Sequence, residues 1–496
     1  MQNAKKFYIT TAIDYVNARP HIGHALEKIQ ADVLARYHRI KGDDVFFLTG
    51  TDEHGVKIAR AAAEAGENPQ EFTDAISQEF RGLKEILDLS WDDFIRTTDR
   101  ARHWPGAQKL WVALLASGDL YKKKYRGLYC VGHEAFVTEK DLVDGKCRDH
   151  QKAPEVIEEE NYFFRLSKYG KDIESRIKDQ ELRIIPKTRE SEILSFIHAG
   201  LEDVSFSRPR KDISWGIPVP NDPEHTMYVW CDALTNYLTG VGYGQDDSKL
   251  KTQNSKLDYW PADIHVIGKD ILRFHAAIWP GMLLSADLPL PRSVFVHGFI
   301  TVEGQKMSKT IGNVVDPVEL VKKYGTDPVR YFLLREIPTG EDGDFSFEKL
   351  EARYNGDLAN GIGNLVARVA TLGERISPIS FDFKKDITSE VDVAADQVFK
   401  AYEAHIAEFH LNDALADIWK LVSIGDKYIN EKKPWEVKDA DEFRKIIVNA
   451  SYLIATCASL LRPFLPDTAE KITTQIACEE SRVWIKKGDA IFPRLP

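Results

Sequence analysis

Two short strings carry side chains suited to phosphate chemistry: His21-Ile22-Gly23-His24 and Lys306-Met307-Ser308-Lys309-Thr310. The first lies where a strand's loop runs into a helix. A helix N-terminus offers unpaired N–H groups and the positive end of a dipole. Gly23 lets a ligand approach the backbone, and two imidazoles can donate hydrogen bonds as charge grows on a phosphate. The second string follows Gly304-Gln305 in a loop after a strand. Lys306 and Lys309 can wrap a triphosphate and neutralise a departing pyrophosphate. Taken singly, either string has a plain alternative, an incidental histidine loop or a solvated lysine loop.

A second constellation is Cys130-x2-His133 and Cys147-x2-His150, two close pairs separated by thirteen residues. That spacing fits a tetrahedral zinc knuckle of structural type, since four protein ligands leave no open position. A knuckle packed without metal is the alternative.

The elements that must position these groups are legible from periodicity. Phe7 to Ala12 is strand-prone, and Leu26, Ile29, Val33, Leu34, Tyr37 and Ile40 recur at helical spacing. Gly42 ends that helix, and Val45-Phe46-Phe47-Leu48 is a short buried-strand run closed by Gly50. This βαβ unit predicts a parallel sheet. Residues from about 117 to 225 break the pattern with charges, the Cys/His cluster and β-like pieces such as Tyr162–Leu166; they read as an inserted domain. The α/β character returns at Ile264–Gly268 and Val294–His297, so the sheet is split. From about 350 three apolar stripes predict a helical bundle: Leu358 to Leu372, Leu411 to Val422, and Phe443 to Leu461, the last stopped by Pro463. Acidic and lysine-rich pieces near 341–344 and 381–390 read as exposed connections.

Composition sets outer limits. The length of 496 residues calls for about three domains. A net charge of -11 excludes a uniformly basic nucleic-acid binder, although Lys122-Lys123-Lys124-Tyr125-Arg126 and Lys432-Lys433 are local basic runs. Five cysteines do not make a disulfide scaffold, which points to a reducing compartment. No signal-peptide pattern precedes Phe7 and no apolar stretch spans a bilayer, so the expectation is a cytoplasmic protein, or a mature organellar one, with no membrane partner.

The two phosphate strings together resemble the signature pair of class I aminoacyl-tRNA synthetases, with Thr310 in place of the usual serine. The fuller resemblance is to the methionyl-tRNA synthetase family and covers essentially the whole chain. It is carried by Ala12–Asn17, Gly50–Gly55, Trp215–Pro220, Tyr228–Ala233, and Gly268–Ile271 followed by Phe274-His275. The resemblance implies a Rossmann-type parallel-sheet α/β domain, split by a zinc-knuckle insertion and followed by an α-helical bundle. The expected boundaries are 1–116 and 226–325 for the catalytic halves, 117–225 for the insertion, 326–350 for a connecting region and 351–496 for an anticodon-binding bundle.

The resemblance implies ATP-dependent activation of L-methionine to methionyl-adenylate, then transfer to methionine tRNA, with Mg2+ on the phosphates. His21, His24, Lys306 and Lys309 are the implied catalytic residues, and Gly23, Gly268, Asp270 and Ser308 join them in holding ATP. Ile13, Tyr15, Trp230, Ala233, Leu234, Tyr237 and His275 line the implied methionine pocket, with Asp52 on the substrate ammonium. Leu234 departs from the proline that some relatives carry. Aromatic rings suit a polarizable thioether, and an ammonium needs a carboxylate. The family's knuckle is most often cysteine-rich, and His133 stands where a cysteine is common; imidazole is also a zinc ligand.

Asn364-Leu365-Val366-Ala367-Arg368 resembles the family's anticodon-reading helix, and residues four apart share a face. Trp435 follows a helix end and can stack on an unpaired base. Some relatives carry a further tRNA-binding or dimerising domain and none fits before Pro496, which points to a monomer. Another class I synthetase, or an inactive tRNA-binding paralogue, is the alternative reading.

Overall fold

Five consecutive residues of the first strand, Phe7 to Thr11, are buried, the pattern of a strand covered on both faces. A computed structural model describes residues 4–132, 135–137, 142–148, 151–211, 213–245, 256–307, 312–479 and 481–496. His133, His150, Ser308, Lys309 and Thr310 lie outside the described residues. The chain forms two compact units: Met1–Pro20, Gly42–Lys84 and Ser90–His297 in the first, and His21–Lys41, Glu85–Leu89 and Gly298–Pro496 in the second.

The first unit is built on a parallel sheet. Strand β1 (Lys6–Thr11) pairs on one side with β3 (Asp44–Asp52) and on the other with Ile264–Gly268. Short strand β2 (Asp14–Tyr15) and β4 (Asp93–Arg96) both pair with β3. Ser293–His297 extends the opposite side. The predicted split sheet is therefore present, and its order reverses between β1 and Ile264–Gly268. In open parallel sheets, ligands sit beyond the carboxyl ends of the strands at such a reversal.

The insertion is less separate than its composition suggests. Arg183–Ile185 returns to the parallel sheet as its edge strand, against Ser293–His297. Trp111, Phe164, Phe206, Ile267 and Trp279 share one buried core cluster, so the insertion and the sheet are packed together. Its own antiparallel sheet pairs Leu120–Cys130 with Glu155–Phe164. That register places Lys124 opposite Glu160 and Arg126 opposite Glu158, so the basic run meets an acidic one across the strands.

In the second unit, helix α1 (Ile22–Ile40) is anchored by the buried Arg330 guanidinium. Its Nη2 donates to Asp32 at 2.8 Å, its Nη1 to the Leu87 carbonyl at 3.0 Å, and its Nε to the Phe464 carbonyl at 2.8 Å. The first predicted stripe, Leu358 to Leu372, runs across a widened helical stretch, Tyr354–Gly363, into helix Asn364–Gly373, and the other two lie within Leu411–Lys432 and Ala440–Leu461. Two segments differ from expectation. Helix Ser389–Ala407, capped by Thr388, begins inside the predicted connection at 381–390 and buries Val391, Ala395, Val398, Tyr402 and Ile406. Gly343–Phe345 is a strand parallel to Ile300–Val302, not an exposed connection, because Phe345 is fully buried. Among the described residues no helix is long and apolar enough to cross a membrane.

Candidate active site

His21 is the N-cap of α1, and its side chain makes a reciprocal cap with His24. The Gly23 N–H donates to His21 Nδ1 at 3.1 Å, and the His21 N–H donates to His24 Nδ1 at 3.0 Å. Each Nδ1 is thereby an acceptor, which leaves the proton of each neutral ring on Nε2. The rings stack with centroids 3.8 Å apart. Two cations would repel at that distance; burial pushes the His21 pKa down to about 4, so its ring is neutral at pH 7. The first turn of α1 holds no acidic residue, so nothing there competes with an anion for the helix dipole. The outcome is a pair of Nε2–H donors beside a helix N-terminus.

Gly23 is required by space. A Cβ there stands 2.9 Å from His21 Cε1 and 3.0 Å from its Nδ1, inside contact distance. The same position lies 3.9 Å from the Met307 methyl, so the start of the lysine loop, at Met307, lies against the histidine turn. That loop leaves a hairpin, Ile300–Val302 with Gln305–Lys306, turned by Glu303 and Gly304, both at positive φ. Asp344 accepts from the Gly304 N–H at 2.7 Å and from Thr301 Oγ1 at 2.7 Å, which clamps the turn. Lys306 is exposed at the hairpin's end.

The residues implied for methionine come together in the first unit. Register places Tyr15 opposite Asp52, at the carboxyl end of β3. Asp52 is buried. Helix Val229–Leu234 supplies Trp230, Ala233 and Leu234, and the following turn supplies Tyr237. His275 lies in a widened helical turn, Phe274–Ile278, a local form that often marks functional sites. His275 Nδ1 is 3.0 Å from the Ile271 carbonyl and must donate to it; Nε2, 2.7 Å from Tyr237 Oη, then accepts the Tyr237 proton. Trp230 stacks on Phe274 at 3.7 Å between centroids and meets His275 edge-on at 6.2 Å. Ile13 packs against a neighbouring apolar cluster. Gly268 ends its strand, and the Asp270 carboxylate folds back to 2.8 Å from where a Gly268 Cβ stands. Ile13, Tyr15, Asp52, Gly268, Asp270 and His275 thus all lie at or beyond strand carboxyl ends. The arrangement offers a carboxylate, an apolar aromatic wall and a polar Tyr–His pair, which suits an amino acid with a long apolar side chain.

Several groups here were not reached from the sequence. Phe274 precedes His275 in the sequence, but nothing there marks it as the ring that stacks on Trp230. Buried Glu53 takes a bidentate Arg96 guanidinium, 2.7 Å from Nε and 2.8 Å from Nη2. His265 underlies Tyr237 with ring centroids 4.1 Å apart, and burial, with the neighbouring His275, holds it well below the usual histidine range. Burial raises the Asp232 carboxyl, but the adjacent His54 and His103 outweigh it and the net shift is downward. A buried acid between two histidines leaves no periodic signal in a sequence.

Of the four knuckle candidates, Cys130 and Cys147 are described. Both are buried and share a small cluster with Val137. A tight hairpin turned at Asp144 and Gly145 presents Cys147. Among the described residues no group of three metal-binding side chains occurs. Elsewhere in the second unit, Arg368 Nη2 donates to Asn430 Oδ1 at 2.7 Å. The same guanidinium lies 5.6 Å from the Trp435 ring centroid. Lys433, in the left-handed conformation, ends helix Leu411–Lys432 and turns the chain so that Trp435 stands 51% exposed. Asn364 is exposed one turn before Arg368 on the same helix.

The family model for class I tRNA synthetases (M) matches residues 7–151 and 137–370, which assigns the segments that form the parallel sheet and the histidine turn to the class I synthetases. The model for the anticodon binding domain of methionyl tRNA ligase matches residues 386–496. The methionine–tRNA ligase of Caldanaerobacter subterraneus subsp. tengcongensis is 44% identical over 99% of this chain and 79% of its own length. That of Brucella suis is 43% identical over 95% of this chain and 92% of its own. The structure of Mycobacterium tuberculosis methionyl-tRNA synthetase in complex with methionyl-adenylate superposes with a TM-score of 0.92 at 39% identity, covering 99% of this chain and 100% of that one. The chain belongs to the methionine–tRNA ligase family.

Proposed function

We infer that this chain joins L-methionine to methionine tRNA in two steps. The methionine carboxylate attacks the α-phosphorus of ATP, forming methionyl-adenylate and releasing pyrophosphate. The terminal ribose hydroxyl of the tRNA then attacks the activated carbonyl, forming the ester and releasing AMP. The observation that carries this reading is the aromatic group of Trp230, Phe274, Tyr237 and His275, in the same unit as buried Asp52 and its register partner Tyr15, in a chain that also holds the paired Nε2–H donors of His21 and His24. Asp52 binds the ammonium; Ile13, Tyr15, Trp230, Ala233, Leu234, Tyr237 and His275 enclose the side chain. Gly23, Gly268 and Asp270 receive the nucleotide. His21, His24, Lys306 and Lys309, with Ser308 between the lysines, stabilise charge on the phosphates. The protein acts by positioning and by fixed donors, with no covalent enzyme intermediate. Mg2+ bound to the phosphates adds charge neutralisation. The test is charging of methionine tRNA with labelled methionine, which is expected to require ATP and to release AMP.

The work divides along the chain: 1–116 and 226–325 catalyse, 117–225 is the insertion, 326–350 connects and 351–496 reads the anticodon, in the cytoplasm. Within the insertion, Cys130, His133, Cys147 and His150 are assigned to a structural Zn2+. The buried pairing of two thiols fits that ion's preference for sulfur. Bound zinc stabilises the local fold. Metal analysis of purified protein is expected to find about one zinc per chain, falling in Cys147→Ala.

Asn364, Arg368 and Trp435 are assigned to the anticodon. An exposed indole beside a guanidinium can stack on an unpaired base, worth about 1–3 kcal/mol. Trp435→Ala is therefore expected to lower kcat/KM for tRNA charging about tenfold to a hundredfold, with methionine activation unchanged. Equal losses in both assays would make Trp435 a structural residue.

A further inference from the structure

The amino-acid pocket is assembled from two segments far apart in sequence. One is the end of β3 and its loop, which carry Asp52; the other is helix Val229–Leu234, which carries Trp230, Ala233 and Leu234. Two residues beyond Asp52, His54 Nδ1 lies 2.6 Å from Asp232 Oδ2, and Asp232 stands two residues beyond Trp230. The other carboxylate oxygen, Oδ1, lies 2.7 Å from His103 Nε2, and His103 Nδ1 lies 2.8 Å from Thr239 Oγ1. His54, His103, Asp232 and Thr239 are all buried. Trp104 and Trp215 contact the His54 ring at 6.1 Å and 5.5 Å between centroids. Trp215 Nε1 also donates to the Glu53 carbonyl at 2.5 Å, which holds the same loop from another side.

Hydrogen bonds to an ionised, buried carboxylate are among the strongest and most geometrically restrictive in a protein. Here one imidazole on each oxygen leaves Asp232 no freedom to rotate, and the flanking backbone is held with it. The proposed reaction assigns none of these groups to the phosphates or to the pocket wall. Their placement instead spans the charged and apolar halves of the pocket.

We propose that His54, Asp232 and His103 form a positioning relay that fixes the distance between Asp52 and the Trp230 wall, and so sets methionine affinity without touching the substrate. This rests on the reading of the pocket as methionine's. The test measures methionine and ATP KM, and kcat at saturating methionine, by ATP–pyrophosphate exchange in the wild-type chain, His54→Ala and His54→Asn. His54→Ala is expected to raise the methionine KM about tenfold to a hundredfold, the scale of losing a hydrogen bond to a charged group, with the ATP KM and kcat nearly unchanged. His54→Asn places an amide N–H where Nδ1–H stood and is expected to recover most of the loss. An unchanged methionine KM, an equal loss against both substrates, or no recovery in His54→Asn overturns the relay. Should His54→Ala fail to fold, Thr239→Val decides: a methionine KM raised severalfold at unchanged kcat supports the relay, and an unchanged KM overturns it. A wild-type chain that does not exchange with methionine overturns the pocket reading, and the relay with it.

Discussion

Asp52→Asn is expected to lower kcat/KM for methionine activation about a hundredfold, the loss falling mainly on the methionine KM. The substitution keeps the shape of the side chain and removes its charge. Asp52 is buried at the end of β3, beside Tyr15. An ammonium brought to that position loses its hydration and needs a fixed anion in return. Removing one member of a buried pair costs about 3 kcal/mol, close to two decades in affinity. A methionine analogue lacking the amino group should be far less sensitive to the change, because the missing charge pair is then absent from both proteins. Steady-state exchange kinetics with varied methionine checks this, and an unaltered KM would remove Asp52 from ammonium binding.

His21→Ala is expected to reduce the rate of adenylate formation about a hundredfold to a thousandfold, the scale for deleting one donor to a developing charge. The methionine KM should change little, since the role proposed for His21 is on the phosphates. The pH dependence follows from the downward shift of its pKa. The His21 pKa is about 4 in the fold against an ordinary 6.5, so between those values the unfolded chain binds the extra proton. The stabilisation from a neutral His21 is therefore complete above about 6.5 and is lost as pH falls towards 4. Denaturant titrations should show a shallower fall in stability over that window in His21→Ala than in the wild type, on top of a loss of about 1 kcal/mol from the missing helix cap. An identical slope in both proteins would mean that His21 does not titrate there.

The parts legible in the sequence were those carried by contiguous strings. The strand at Phe7, the helix begun at His21 and the buried run at Val45 follow from local periodicity, and their parallel pairing follows from the βαβ order. The residues implied for a methionine pocket follow from the family resemblance, and the structure brings Tyr15 beside Asp52 and Tyr237 onto His275. What escaped the sequence depends on distant partners. His54 and Asp232 are 178 residues apart, and His103 and Asp232 are 129 apart, so no window contains them. Arg183–Ile185 is too short to stand out from the insertion around it, yet it completes the edge of the parallel sheet. Helix Ser389–Ala407 was obscured by a charged start, although its buried residues recur every three or four positions.

The family comparisons assign methionine as substrate and the proposed pocket is built to fit it; amino-acid-dependent ATP–pyrophosphate exchange tests that assignment most directly. Each of the twenty amino acids is offered in turn to the purified chain with ATP, Mg2+ and labelled pyrophosphate. The expected result is rapid exchange with methionine and exchange lower by orders of magnitude with leucine, isoleucine and valine. Faster exchange with any other amino acid, or none with methionine, would contradict it.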